Sequence, residues 1–192
     1  MLLDVKNLHA YYDSSHVLKG ISLSIQARET IGLLGKNGMG KSTLIRSILG
    51  HVHQREGEIY IQEKTAMTLA PYEIARLGIA YVPESRELDG LISSFSISEN
   101  LILDVFDMAP NAKGPMMDLA FISSNAEKQA QEFDVRTQSV ADPASSLSGG
   151  NKQKVVLARE LSRPVKLVVA SRPTRGLDVG SIEFVHERII AE

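Results

Sequence analysis

The chain has 192 residues, of which 43% are apolar and 23% charged, with a net charge of −2. That is enough for one substantial core of ordinary domain size and too apolar for wholesale disorder, and the near-neutral balance lacks the broad positive field of most nucleic-acid binders. The cysteine count is zero, which excludes disulfides, zinc-thiolate sites, iron–sulfur clusters and a cysteine nucleophile and fits a reducing cytosol.

Asp4 and Lys6 interrupt the N-terminus where a signal peptide needs an apolar run. No later run approaches the ~20 residues of a spanning helix. Ile21, Leu23 and Ile25 alternate with Ser22 and Ser24, the pattern of a half-exposed strand. Ile31–Leu34 is an unbroken apolar run ending at Gly35 and predicts a buried strand. Leu44, Ile45, Ile48 and Leu49 follow at helical spacing over Lys41–Leu49, with Gly50 as the stop. Ile59 and Ile61 mark a further strand. Pro71 opens a helix over Tyr72–Leu77, and Ile79–Val82 predicts another buried strand. Ser96 and Glu99 form a capping box, so a helix begins near Ile97. Ala109–Pro115 is read as a loop, Ala126–Phe133 as a helix and Ser139–Ser148 as a loop. Gly150–Ser162 is helical with Val155, Ala158 and Leu161 on one face. Leu167–Ala170 is a buried strand, and Ile182, Val185 and Ile189 mark a last helix. Strands apolar on both faces, separated by helices, predict an α/β fold with a mainly parallel sheet; the alternating strands near the N-terminus predict an antiparallel β subdomain beside it. The basic residues Lys152, Lys154, Arg159, Arg163 and Lys166 read as a solvated helix face.

The strongest chemical signal is Gly35-Lys36-Asn37-Gly38-Met39-Gly40-Lys41-Ser42-Thr43, which matches G-x-x-x-x-G-K-[ST] between a predicted strand and a predicted helix. Glycines let backbone N–H groups converge on phosphate oxygens, and the helix N-terminus adds a favourable dipole. Lys41 would reach the β- and γ-phosphates of a nucleoside triphosphate, and the Ser42 hydroxyl would ligate Mg²⁺. A second motif, Leu147-Ser148-Gly149-Gly150-Asn151-Lys152-Gln153, opens a helix with a hydroxyl at the cap. It is another anion nest, and by itself an ordinary capped helix explains it equally well.

Together these motifs resemble the nucleotide-binding domains of ABC transporters, P-loop NTPases with the signature LSGGQ, over nearly the whole chain. The resemblance implies ATP and Mg²⁺ as ligands. It implies one nucleotide-binding domain over 1–192, with core at about 1–96 and 136–192 and an α-helical subdomain at about 97–135. It places Tyr12, with Tyr11 as the alternative, as the aromatic that stacks on adenine. Gly35, Asn37, Gly38, Gly40, Lys41, Ser42 and Thr43 would bind the phosphates. Ser148, Gly149, Gly150 and Asn151 would complete the ATP site of a second copy. Glu84 stands where the family's Q-loop has glutamine and would approach Mg²⁺ alongside Ser42; Asp178 stands in the D-loop.

Three departures follow from the same resemblance. The strand Leu167–Ala170 should end in the Walker B Asp-Glu pair, but Ser171-Arg172 stand there. Serine is a poor metal anchor and arginine cannot act as a base, a loss that typically costs 10²–10⁴-fold in rate; Arg172 could still attract the γ-phosphate. Asn151 replaces the signature glutamine. The family's next strand and its switch histidine would follow Asp178, and on that reading the C-terminal strands are absent; His186 reads as a solvated helix residue.

At finer grain, Met1 to about Arg86 resembles ATPases of branched-chain amino acid importers. From about Gly90 onward the chain resembles the second ATP-binding half of simple-sugar or nucleoside importers. The expected function is the ATP-binding subunit or fragment of an importer for such a solute. The alternative is a catalytically degenerate regulatory or structural partner in an ABC dimer. The implied partners are membrane permease subunits and a second ABC ATP-binding domain, with no nucleic acid. The implied location is peripheral, on the cytoplasmic face of the cell membrane.

Overall fold

The computed structural model describes residues 1–191 and divides into two compact units, Met1–Ile79 and the residues from Ala80 onward.

The first unit is built on a four-stranded antiparallel sheet in the order β2-β1-β3-β4, from β1 (Leu3–Tyr12), β2 (Ser15–Ile25), β3 (Arg55–Ile61) and β4 (Lys64–Thr65). Along β1 the buried residues are Leu3 and Val5, then Leu8 and Ala10. Period-two alternation would put these two pairs on opposite faces. The pairing shifts register between Val5 and Leu8, where Asn7 takes a left-handed φ of 47°. The extra residue returns Leu8 and Ala10 to the covered face, as a bulge does. Helix α1 (Lys41–Ile48) buries Thr43, Leu44, Ile45, Ser47 and Ile48, the stripe that 3.6 residues per turn directs to one side. α2 (Pro71–Arg76) completes the unit, with Pro71 in its first turn.

Strand β5 (Ile79–Val82) pairs with β8 (Leu167–Ala170). The second unit also holds α3 (Ile97–Leu101), the short strands β6 (Ala112–Lys113) and β7 (Met116–Met117), α4 (Leu119–Glu132), α5 (Gly149–Leu161) and α6 (Val179–Ile190). Its core gathers Val82, Ile97, Leu101, Phe133, Val155, Val156, Leu157 and Val185. The capping box forms: Ser96 Oγ accepts from the Glu99 backbone N–H at 3.1 Å, and Glu99 Oε2 accepts from the Ser96 N–H at 2.7 Å. The Ser96 hydroxyl also bonds Glu99 Oε2 at 2.7 Å, and the two bonds to that oxygen, the hydroxyl's first and the backbone N–H's second, hold the Glu99 carboxyl below its ordinary range.

The structure departs from the sequence reading at four places. The run Ile31–Leu34 forms no ladder and is exposed, Leu34 at 96%. A strand apolar on both faces needs neighbours at both edges, and among the described residues none pairs with it. Beside the small β6–β7 hairpin, the remaining strands β5 and β8 form a two-stranded sheet, and the largest sheet is the four-stranded antiparallel one. The segment 109–115 carries β6, which pairs with β7 in a small hairpin. α4 starts at Leu119, well before Ala126, because Asp118 caps it by accepting from the Phe121 N–H at 3.0 Å. The supposed solvated basic face of α5 is largely enclosed, with Lys154 8% and Arg159 9% exposed. Each is paired, as buried charge requires. Arg159 Nη1 donates to Gly90 O at 2.7 Å and Nε to Glu160 at 3.0 Å. Lys154 Nζ donates to the Asp134 carboxylate at 2.5 Å and lies 4.9 Å from the Phe184 ring centroid.

Candidate nucleotide-binding site

In the first unit the glycine-rich segment turns directly into α1. Gly40 occupies the N-cap position at φ 83°, and no side chain caps the helix. Its first N–H groups are thus left for an external acceptor. Only glycine fits there: a Cβ would stand 2.8 Å from Leu18 Cδ2, in a backbone region that L side chains rarely adopt. Lys41 folds back over the loop and donates from Nζ to Gly35 O at 2.7 Å and to Lys36 O at 2.8 Å. Its ammonium is therefore held at the loop's mouth by two neutral carbonyls, which a phosphate oxygen can replace with a charge-assisted bond. Ser42 is exposed at the start of α1, whereas Thr43 is buried beneath it and supports the helix.

The two candidate stacking tyrosines separate at the end of β1. Tyr11 stacks on His16 with centroids 4.4 Å apart. Tyr12 stands 43% exposed beside the hairpin turn, its ring available to a base.

In the second unit, Ser148 caps α5 and accepts from the Asn151 backbone N–H at 3.4 Å and from Asn151 Nδ2 at 3.1 Å. Asn151 Oδ1 in turn accepts from the Arg136 N–H at 2.9 Å. The shorter amide in place of glutamine is thus fastened at both ends. Asp178 caps α6, accepting from the Ser181 N–H at 3.0 Å and the Ser181 hydroxyl at 2.9 Å. The same bonds hold its carboxyl below the ordinary range. A Cβ on Gly150 would lie 2.5 Å from Ser181 Oγ, so glycine is what lets the start of α5 approach α6. Ser148, Gly150, Asn151, Asp178 and Ser181 share the lining of one cleft of about 330 Å³ with Lys154.

Ser171 and Arg172 directly follow β8, and Ser171 N–H donates to Val82 O at 2.9 Å. Arg172, at a left-handed φ of 46°, donates from Nη1 to Glu84 Oε1 at 2.9 Å. Arg175 reaches the same oxygen at 2.5 Å, and Arg86 Nη1 bonds Arg175 O at 3.0 Å. The sequence reading placed Glu84 as an acceptor for Mg²⁺ and Arg172 as an attractor of the γ-phosphate. The structure binds the two to each other and adds Arg175, a residue visible in the Pro173–Gly176 turn but not singled out. The fit to the two implied ligands therefore differs. Loop, helix start and lysine suit a triphosphate. For Mg²⁺ the Ser42 hydroxyl is open, while the Glu84 carboxylate already serves two guanidinium groups. Among the described residues no group of three or more His, Cys, Asp or Glu could hold a metal ion.

Comparison with known proteins agrees with this reading of fold and motifs. The ABC transporter family profile matches residues 18–175, and the chain belongs to that family. It is 37% identical over 191 residues to the nucleoside import ATP-binding protein NupA of Lactococcus lactis, covering 99% of this chain and 38% of that protein. It is 37% identical over 175 residues to the guanosine import ATP-binding protein NupO of Bacillus subtilis, covering 91% and 34%. With the ribose import ATP-binding protein RbsA of Shouchella clausii it shares 34% identity over 184 residues, covering 96% and 36%. The chain thus spans little more than a third of the length of these relatives. Among solved structures it superposes on a dimeric ATP-binding cassette, MJ0796 bound to ADP and phosphate, with a TM-score of 0.79 at 24% identity over 98% of this chain and 81% of that one. It superposes on an ATP-binding subunit of an ABC transporter with a TM-score of 0.78 at 26% identity, covering 100% and 74%. The fold is that of an ABC ATPase cassette. The nucleoside-import match runs through the N-terminal part as well as the rest, and these relatives lend no support to a branched-chain amino acid as cargo. Among the described residues no helix is long and apolar enough to cross a membrane.

Proposed function

We propose that the chain is the ATP-binding part of an importer for nucleosides or simple sugars, working at the cytoplasmic face of a membrane with permease subunits. The names of its relatives support the solute class. ATP binds with Tyr12 against the base and the loop from Gly35 to Thr43 around the phosphates, Mg²⁺ arriving with the nucleotide and taking the Ser42 hydroxyl. The Ser148–Asn151 helix start completes the site of a second ABC domain, so the working unit is a dimer. The single observation that carries the reading is the Lys41 ammonium held over an uncapped helix start by two carbonyls alone. The test is titration of the intact chain with ATP in the presence of Mg²⁺. Lys41→Ala weakens binding by at least tenfold, since charged hydrogen bonds contribute about 1.5–3 kcal/mol. Equal affinity of the two proteins refutes the reading.

A second reading is favoured by one observation, the Glu84–Arg172 pair. The position that should polarise water holds a cation already engaged by a carboxylate. On this reading the chain binds ATP with little turnover of its own and lends its α5 start to a competent partner.

A further inference from the structure

We propose that His9 and His16 form a binding site for a borderline divalent transition ion, Zn²⁺, Ni²⁺ or Cu²⁺, across the β1–β2 hairpin. His9 Nδ1 and His16 Nε2 lie 2.9 Å apart, and the two rings are stacked with centroids at 5.1 Å and an interplanar angle of 29°. At metal–nitrogen bonds of ~2.0–2.1 Å, two nitrogens in adjacent coordination positions stand ~2.9–3.3 Å apart. The pair therefore already has the spacing of two ligands of one ion. A modest ring rotation, open to side chains at the surface, turns both lone pairs to a common point. One proton now lies between the nitrogens, on His16 Nε2; to ligate, His16 takes its other neutral tautomer, with the proton carried on Nδ1, and the freed Nε2 lone pair turns to the ion.

The surroundings prepare the pair. Asn7 Oδ1 lies 3.3 Å from His9 Nε2 and can only accept, so this contact favours the tautomer with the proton on Nε2 and the Nδ1 lone pair toward His16. An oxygen on the far ring nitrogen is the usual support of a metal-bound histidine. Asn7 is itself fixed in the bulge, its backbone N–H donating to Ser22 Oγ at 2.9 Å. Gly20 leaves the room that Asn7 and His9 occupy, since a Cβ there would stand 2.9 Å from Asn7 Oδ1. On the other side Tyr11 stacks on His16 at an interplanar angle of 18°, a contact that rotation of the imidazole within its own plane preserves. Imidazole ligands with water filling the remaining positions suit Ni²⁺, Cu²⁺ and Zn²⁺ and not Mg²⁺ or Ca²⁺. The ion would cross-link β1 to β2 next to the hairpin turn that carries Tyr12.

The test is calorimetric titration of the intact, nucleotide-free chain with zinc chloride and with nickel chloride in a non-chelating buffer. The expected result is a saturable site on the unmodified chain that is lost in His9→Gln and in His16→Gln, both retaining the circular dichroism spectrum and melting temperature of the parent. Asn7→Ala, which keeps both ligands, weakens binding by about 10–100-fold, the usual effect of removing the oxygen behind a metal-bound histidine. His51→Gln with His53→Gln leaves the affinity unchanged. Absence of binding to the unmodified chain overturns the proposal, and so does undiminished affinity in His16→Gln.

Discussion

Replacing Arg172 by glutamate, the residue an ATPase would carry there, should damage this protein unless Glu84 changes with it. Arg172 Nη1 and Glu84 Oε1 are 2.9 Å apart, with 49% and 26% of the two side chains exposed. An ion pair so open to water contributes up to about 1 kcal/mol. Arg172→Glu removes that and sets two carboxylates side by side. Unit charges ~4 Å apart at an effective dielectric near 20 interact by ~4 kcal/mol. With half of one side chain in water, and with Arg175 still donating to Glu84 at 2.5 Å, a repulsion of about 1–2 kcal/mol remains. The single variant therefore loses about 1–3 kcal/mol. For a chain of this size each kcal/mol shifts the melting temperature by ~2–4 °C, so the fall is about 2–12 °C. Glu84→Gln removes the repulsion while keeping an acceptor for Arg175. The double variant recovers about 1–2 kcal/mol relative to additivity, a coupling of the size expected for residues in contact. The assay is thermal and urea unfolding of the four proteins in the double-mutant cycle, at low and at high salt. Additive losses, or an Arg172→Glu protein as stable as the parent, would refute the argument that Arg172 is engaged by Glu84.

Three further outcomes follow from the same geometry. The lone chain should release phosphate from ATP barely above background, and Ser171→Asp with Arg172→Glu and Glu84→Gln should raise that rate; ordinary turnover by the unmodified chain, on the order of 1 per second, contradicts the account. Gly150→Ala should cost about 1–3 kcal/mol, because its Cβ would meet Ser181 Oγ at 2.5 Å and disturb the hydroxyl's bond to Asp178; an unchanged urea midpoint contradicts this. Asp134 is held below the ordinary carboxylate range by its hydrogen bond to Lys154 and then by that lysine's charge. A carboxyl depressed by folding stabilises above its unfolded pKa of ~3.9 and loses that contribution as pH falls through its lower folded value. Lys154→Met should therefore flatten the loss of stability below about pH 4, as read by urea midpoints, and an unaltered acid limb excludes the pair as its source.

The local elements follow from short-range rules that the sequence displays in full. Gly40 before Lys41 announces an uncapped helix start, and Ser96 with Glu99 announces a capped one; both appear where the residues put them because a cap is settled within four residues. The glycine-rich turn into α1 and the Ser148 cap of α5 were legible for the same reason: each is a contiguous stretch whose backbone geometry needs no distant partner. Leu167–Ala170 was legible as a strand because its apolar run ends where β8 ends, but the expected burial holds only at Leu167, with Val168 and Val169 half-buried and Ala170 exposed. Pairing and charge neighbourhood were decided elsewhere. Ile31–Leu34 has the composition of a buried strand, but a strand exists only when another lies beside it, and none does. β1 hid its register because the bulge at Asn7 moves its apolar residues from odd to even positions. Lys154 and Arg159 look like surface charges along one helix. The partners that let them be enclosed are Asp134 and Gly90, 20 and 69 residues away. Glu84 and Arg172 are 88 residues apart. Their residue types were plain from the sequence, but a charge does its work through what stands within a few ångströms of it, and only the tertiary structure brings the two together.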